Sequence, residues 1–227
     1  MCGRYARFTP AAALADLFKA TDRTSSAPSY NVAPTDRQPV VRTDADGERV
    51  LTDLRWGLIP SWSRDPRETE RSYSLINARA ETVADKPSFK AAFRQRRCLV
   101  PADGFFEWQG QGGGPKQPYW IQAADGKPLA FAGLWERWRG ELDGVSGAIT
   151  SFTIIVGEPN ALVAPLHDRM PVILAPEDWS RWLAPEGDDP ATLRPLLAPY
   201  PADAMLAMPV STKVNDPTKD GPDVIES

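Results

Sequence analysis

Cysteine stands at position 2, directly after Met1. Removal of Met1 would make Cys2 N-terminal, with a thiol and an α-amine on adjacent carbons. Such an amine has a reference pKa of about 7.7–8.0, so a useful fraction is neutral and nucleophilic at pH 7. Gly3 and Arg4 follow. Glycine lets a ligand approach closely, and an arginine beside the thiol offers a phosphate-binding fork. The alternative is an incidental thiol at a frayed terminus.

Three further stretches carry candidate chemistry. LINARAET holds Asn77, Arg79 and Glu81 at alternate positions. In a strand these would share one face and could line one cleft, or form an exposed polar edge. ADGFFEWQ places Glu107 among Phe105, Phe106 and Trp108. A carboxyl in apolar surroundings has a raised pKa, which suits general acid–base work, although a solvent-facing strand position is the commoner case. PLHDRMPVIL contains His167, the one histidine of the chain, with Asp168 and Arg169 beside it. A histidine in a polar turn before a buried strand is either catalytic or simply hydrogen-bonded. WGLIPSW adds two tryptophans that could stack on bases; core packing is the stronger reading for Trp56.

The elements that must position these residues read as follows. Thr9 and Pro10 open a helix through AAALADLFKA, with Thr9 as N-cap and Pro10 at the first helical position. QPVVRT and ERVLTDLRW form a hairpin around Asp44–Gly47. SRDPRETERS reads as a surface loop and QGQGGGPKQP as a loop tip. LINARAET is a strand leading into a turn, and KPSFKAAFRQR a short basic helix. CLVPADGFFEW is a strand with a Pro-Ala-Asp-Gly turn inside it. PYWIQA and PLAFAGLWERW form a second hairpin across Ala124–Lys127, and SFTIIV and MPVIL are short buried strands. Trp179, Trp182 and Leu183 recur at helical spacing and belong to a core. Many strands with a few short helices make the class α+β.

Composition sets the outer bounds. The chain has 227 residues, 42% of them hydrophobic. That suffices for a sizeable core in one domain, taken here as 1–227, or in two poorly separated ones. No apolar run approaches the roughly 20 residues needed to span a membrane, and Arg4 and Arg7 stand where a signal peptide would be apolar, so a cytoplasmic protein is expected. Two cysteines without a C-x-x-C pair, and one histidine, exclude a disulfide framework and argue against structural zinc. No metal and no cofactor is expected. The net charge of −4 is uneven: residues 61–100 hold nine basic against five acidic residues, whereas 171–227 hold four against ten. Ordinary solvated faces explain this as well as a phosphate-binding surface does.

The motifs become specific as a set. MCGRYA, YNVAPT (Tyr30–Thr35), RWGLIPSW, INARAET, VPADGFFEW and LHDRMPVIL, in this order, resemble the SOS response-associated peptidase family, which processes abasic sites. The resemblance runs from Cys2 to about Ile225, where VSTKVNDPTKDGPDVIE is similar to the family's closing strand. It implies a β-rich fold of the family's type and a substrate of single-stranded DNA with abasic sites, bound by a monomer. Cys2 would be the nucleophile and crosslinking residue, and Asn77 would position the amine or the ring nitrogen of the adduct. Glu107 and His167 would move protons. Arg4, Arg79 and Arg169 would grip phosphates, with Asn31, Pro34, Trp62 and Trp108 along the channel. The implied chemistry is a Schiff base from the Cys2 amine to the opened sugar, closed to a thiazolidine by the thiol. A lyase side activity and self-release of Met1 are part of the same expectation. Three positions depart from the family pattern: Val156-Gly157 replace threonines, and Ser63 replaces an aromatic beside Trp62. An N-terminal-nucleophile amidotransferase is the rival reading; it shares only Met1-Cys2-Gly3 with this chain.

Overall fold

Apolar side chains alternate along the strands, and the alternation sorts them into separate cores. Val40 and Val41 are neighbours in sequence yet point into different clusters; Cys98 and Val100 part from Leu99 in the same way. The computed structural model describes residues 2–67, 75–110, 113–142, 145–184 and 190–226. Along the chain run β1 (Tyr5–Arg7), α1 (Ala11–Phe18), β2 (Thr21–Arg23), β3 (Ser29–Val32), β4 (Arg37–Thr43), β5 (Arg49–Trp56) and β6 (Asn77–Arg79). After them come α2 (Lys90–Gln95), β7 (Arg97–Ala102), β8 (Gly104–Gln109), β9 (Gln117–Ala123), β10 (Leu129–Leu142), β11 (Val145–Gly157), β12 (Met170–Pro171), α3 (Trp179–Leu183) and β13 (Met205–Pro209).

Two sheets result, so the α+β, β-rich expectation holds. One has the order β13-β9-β8-β1-β3. The other runs β12-β11-β10-β7-β4-β5-β2, and β5 also pairs in parallel with β11, closing the strands between them into a small barrel. One core joins one face of the barrel strands to the first sheet, with Cys2, Tyr5, Trp56, Phe105, Phe131 and Phe152 in it. A second lies on the barrel's outer surface under the helices, around Phe18, Leu51, Leu99, Trp179 and Trp182. Trp56 is thus a core residue, as expected.

Several elements differ from the sequence reading. The helix begins at Ala11 with Pro10 as its cap residue; the Thr9 hydroxyl donates to Asp103 instead of capping. The stretch 97–109 is two strands in different sheets, broken at Asp103, whose carboxylate accepts from the Phe8 and Thr9 amides at 2.6 and 2.8 Å. No hairpin joins β9 to β10. The first pairs with β8 and β13 and the second with β7 and β11, because each is apolar enough to be covered by its own sheet. The apolar run SFTIIV is the inner end of a 13-residue strand, whose outer half, VSGAIT, is too mixed to read as an apolar run. MPVIL contributes only the two residues of β12 and a bridge from Ile173 to Phe131. The closing strand is β13; residues 211–226 beyond it form two 3₁₀ turns. The β4–β5 hairpin, the turn after β6, and the helix α2 stand as read. The expected loops at 63–72 and 109–118 lie partly outside the described residues.

Three arginines of the basic stretch 61–100 are engaged in structure. Arg96 pairs with Glu136 at 2.8 Å and Arg67 with Asp65 at 2.9 Å. Arg97 is buried and donates to the carbonyls of Phe93 (2.9 Å), Arg94 (2.6 Å), Trp182 (2.7 Å) and Ala184, tying α2 to α3. Arg97→Met would leave these carbonyls without their charged donor. Hydrogen bonds to charged groups contribute about 1.5–3 kcal/mol each, so the variant is expected to lose at least about 3 kcal/mol in urea unfolding. A loss below about 1 kcal/mol would show that water replaces the guanidinium there.

Candidate active site

The N-terminal strand is built into the middle of a sheet. Tyr5 pairs with Val32 on one side and Phe105 on the other, and the Phe106 amide donates to the Arg4 carbonyl at 3.0 Å. Cys2 therefore sits three residues ahead of a fixed strand, at 0% exposure, in one core cluster with Tyr5 and Phe105. The thiol is not exposed and the terminus does not fray at Cys2, contrary to both sequence readings of an accessible thiol. Burial pushes the thiol pKa far above its ordinary value, and the neighbouring Glu107 adds to the effect. The sulfur is a protonated thiol at rest.

Asn77 reaches Cys2 from β6. That strand runs parallel to β11, with Asn77 beside Ile154. Asn77 is buried, and its Nδ2 donates to the Cys2 carbonyl at 2.7 Å. Its Oδ1 is buried with no hydrogen-bond partner among the described residues, an acceptor open at the site. Arg79 lies two residues on and is exposed. Glu81, in the turn beyond, pairs with Arg169.

Glu107 faces Cys2 because of strand alternation. Phe105 and Glu107 point to the Cys2 side of β8, while Phe106 packs on the opposite face with Trp120, and Trp108 against the same cluster. Of the aromatics adjacent in sequence, only Phe105 shares the carboxyl's face. Glu107 is 2% exposed, and its pKa rises from 4.5 to about 7, chiefly through burial, with the Asp168 carboxylate adding to it. An unfolded chain releases this proton near its ordinary pKa, whereas the folded protein keeps it until about pH 7. The stabilising contribution is complete below pH 4.5 and is lost as pH climbs to about 7, a difference of up to roughly 3 kcal/mol. Glu107→Gln is accordingly expected to unfold at higher temperature than the parent at pH 8 and at a similar one at pH 4. Equal shifts at both pH values would rule out ionisation as the cause.

His167 is delivered by a tight turn that the sequence reading did not single out. Asn160 builds it: its Oδ1 accepts from the Leu162 and Val163 amides (3.1 and 3.0 Å), and its Nδ2 donates to the Tyr200 carbonyl at 2.7 Å. The chain then coils so that the His167 amide bonds the Val163 carbonyl at 3.0 Å. Pro159-Asn160 ahead of ALVAPL, an Asx turn signal, was the available clue. Gln109 at the end of β8 donates to the Pro165 carbonyl at 3.3 Å, docking this turn against the strand that carries Glu107. The His167 Nδ1 accepts from the Arg169 amide at 3.0 Å, and Asp168 stands 2.8 Å from the same nitrogen, a partner for the protonated ring. Burial lowers the imidazole pKa, which favours the neutral ring at pH 7.

The remaining candidates divide into groups. Arg79, Glu81 and Arg169 cluster at the rim beyond Asn77. Arg4 and Asn31 turn toward the C-terminal segment. The Arg4 Nη1 donates to the Asn31 Oδ1 and the Val214 carbonyl, both at 2.8 Å, and Asn31 donates to the carbonyls of Asp216 (3.0 Å) and Lys219 (2.7 Å). Trp108 donates from Nε1 to Asn215 at 2.7 Å in the same segment. Pro34 is half-buried in the turn before β4. Trp62 is 66% exposed on the loop after β5. The structure thus brings Cys2, Asn77, Glu107 and the His167 turn together, and seats Arg4, Asn31 and Trp108 on the C-terminal segment. Among the described residues there is no cluster of three or more His, Cys, Asp or Glu side chains able to hold a metal, and no helix long and apolar enough to cross a membrane.

The chain is similar to known proteins in sequence and in fold. A family model described as SOS response associated peptidase (SRAP) matches residues 1–217. The abasic site processing protein YoqW of Bacillus subtilis is 40% identical over 230 residues, covering 100% of both chains. The abasic site processing protein HMCES of Xenopus tropicalis is 35% identical over 221 residues, 86% of this chain and 65% of that protein. A solved structure of a protein from Bacteroides thetaiotaomicron superposes with a TM-score of 0.88 at 27% identity, covering 99% of this chain and 98% of that one. On a family match that takes in nearly the whole chain and relatives alike from end to end, this protein belongs to the SOS response associated peptidase family.

Proposed function

We propose that this protein processes abasic sites by capturing them covalently in single-stranded DNA through Cys2. The observation that carries this reading is one buried junction: the Asn77 amide holds the Cys2 carbonyl at 2.7 Å while the Glu107 carboxyl, near neutrality in pKa, faces the same residue. Family membership and the relatives' names supply the substrate class.

An abasic deoxyribose opens to an aldehyde. With Met1 removed, the Cys2 amine adds to the carbonyl carbon, and loss of water gives an iminium. The sulfur then attacks the iminium carbon: the C–S bond forms, the C=N π electrons return to nitrogen, and the thiol proton leaves to a base. Glu107, protonated below about pH 7, can give a proton to the departing oxygen and afterwards, as carboxylate, accept the thiol's. Asn77 Oδ1, open at the site, accepts from the amine or from the ring N–H. His167, neutral at the rim, assists sugar opening. When ring closure lags, a base that removes the acidified C–H cuts the strand, which gives the lyase side activity.

The direct test is mass analysis after incubation with a single-stranded oligonucleotide bearing one abasic site. The expected product is one protein plus one oligonucleotide less one water, mapped to the N-terminal peptide. Hydrolysis of glutamine without any DNA adduct would favour an amidotransferase instead.

A further inference from the structure

We propose that Trp138 is a positioning residue for Trp62, and that the outer half of the β10–β11 hairpin is a strut holding the Trp62 turn ready to stack on a base beside the lesion. This rests on the reading above that the substrate is single-stranded DNA.

Trp62 is the most exposed large hydrophobic side chain among the described residues. It occupies the third place of a turn closed by the Ser63 amide on the Pro60 carbonyl at 3.0 Å. The turn is pinned on both sides by the same face of the same hairpin. Before it, the Ile59 amide donates to the buried Ser151 hydroxyl at 2.8 Å. After it, the Ser63 carbonyl accepts from the Trp138 Nε1 at 2.8 Å, across 75 residues of sequence. Ser151 pairs with Glu136, and Trp138 with Ile149, so Ser151 and Trp138 stand one alternation apart on one face.

The hairpin is shaped for this ring. Trp138 is buried, and a Cβ at Gly140 would stand 2.4 Å from its Cζ2. Only glycine leaves room for the indole to lie where its N–H meets Ser63. Strands of 14 and 13 residues reach well past the barrel rungs they share with β7 and β5; Ser151 stands on the β5 rung and Trp138 on the extension, so the Trp62 turn is held from both. An aromatic platform held in place before binding does not have to be ordered when a base stacks on it.

The test is a double-mutant cycle on Trp62→Ala and Trp138→Phe. Affinity is read by fluorescence anisotropy on a labelled single-stranded oligonucleotide with one tetrahydrofuran site, which has no aldehyde to crosslink. Trp62→Ala is expected to weaken binding about five- to hundredfold, as loss of one base stack does. Trp138→Phe keeps an aromatic side chain but loses the indole N–H, and is expected to weaken binding about three- to tenfold. The double variant should bind no worse than Trp62→Ala alone. The salt dependence should be the same for all four proteins, because no phosphate contact changes. Ser151→Ala, which frees the other anchor, should show the same dependence on Trp62, so the cycle survives if Trp138→Phe does not fold. Losses that multiply in the double variant, a wild-type affinity for Trp138→Phe, or no effect of Trp62→Ala would each overturn the strut. Cys2 chemistry takes no part in this probe: failure of crosslinking with an intact cycle would discard the capture reaction alone.

Discussion

Cys2→Ala is expected to abolish covalent capture of an abasic oligonucleotide, leaving no adduct on denaturing electrophoresis. One alanine inserted between Met1 and Cys2 should lower stable adduct at least about a hundredfold, although the thiol is retained. The reason is geometric. Amine and thiol on adjacent carbons close a five-membered ring on the aldehyde carbon, and holding both reactants on one residue supplies the large advantage of an intramolecular step. With an inserted residue, the free amine belongs to another amino acid and the thiol closes no such ring; a Schiff base alone hydrolyses. Burial sharpens this expectation. Cys2 is buried just ahead of β1 with its carbonyl on Asn77, so the inserted chain has little slack with which to bring a displaced amine back to the same place. The check is a time course of adduct for parent, Cys2→Ala and the insertion. Stable crosslinking by the inserted protein would falsify the ring mechanism.

The second large effect falls on Glu107. Glu107→Gln is expected to slow capture by about 10²–10⁴-fold, the usual contribution of a positioned general acid–base group. The pH profile separates this role from a structural one. The amine gains its neutral form as pH rises toward about 8, while Glu107 loses its acid form as pH passes about 7, so the parent rate peaks near neutrality. Glutamine has no proton to lose, and the falling limb should vanish with the rate. Because the same proton transfers run backward in ring opening, release of the adduct should slow as well. His167→Ala should have a smaller effect, centred on sugar opening and strand cleavage, because the ring is neutral and partly solvated at the rim. Adduct and cleaved strand measured from pH 5 to 8 decide the matter. Parent rates with an intact falling limb in Glu107→Gln would reduce the residue to a buried carboxyl without catalytic weight.

The Glu107 prediction runs against stability. The parent holds a carboxyl in an apolar setting that destabilises it above its ordinary pKa, and glutamine relieves that penalty. A variant that is harder to unfold at pH 8 and slower to react would mark strain kept for function.

The sequence alone supplied the candidate residues and much of the strand pattern. A cysteine after Met1, an Asn-x-Arg strand, a Glu between apolar residues and one histidine in a polar turn are local facts, as is the period-two alternation behind the β4–β5 hairpin. Tertiary structure decided the rest. Alternation tells which side of a strand is apolar but not which strand will lie beside it, so β9 and β10, adjacent in sequence, went to different sheets. Charge counts show how many arginines a stretch holds but not that Arg97 would be consumed by four carbonyls. The Cys2 thiol read as accessible because a chain end is free by default; β3 and β8 close on both sides of β1 and bury it. The contact that makes a site of these residues, Asn77 on Cys2, spans 75 positions and exists only because β6 is laid along β11 at the rim of a closed barrel. A pKa near 7 for Glu107 likewise follows from what covers it, which no neighbour in sequence could supply.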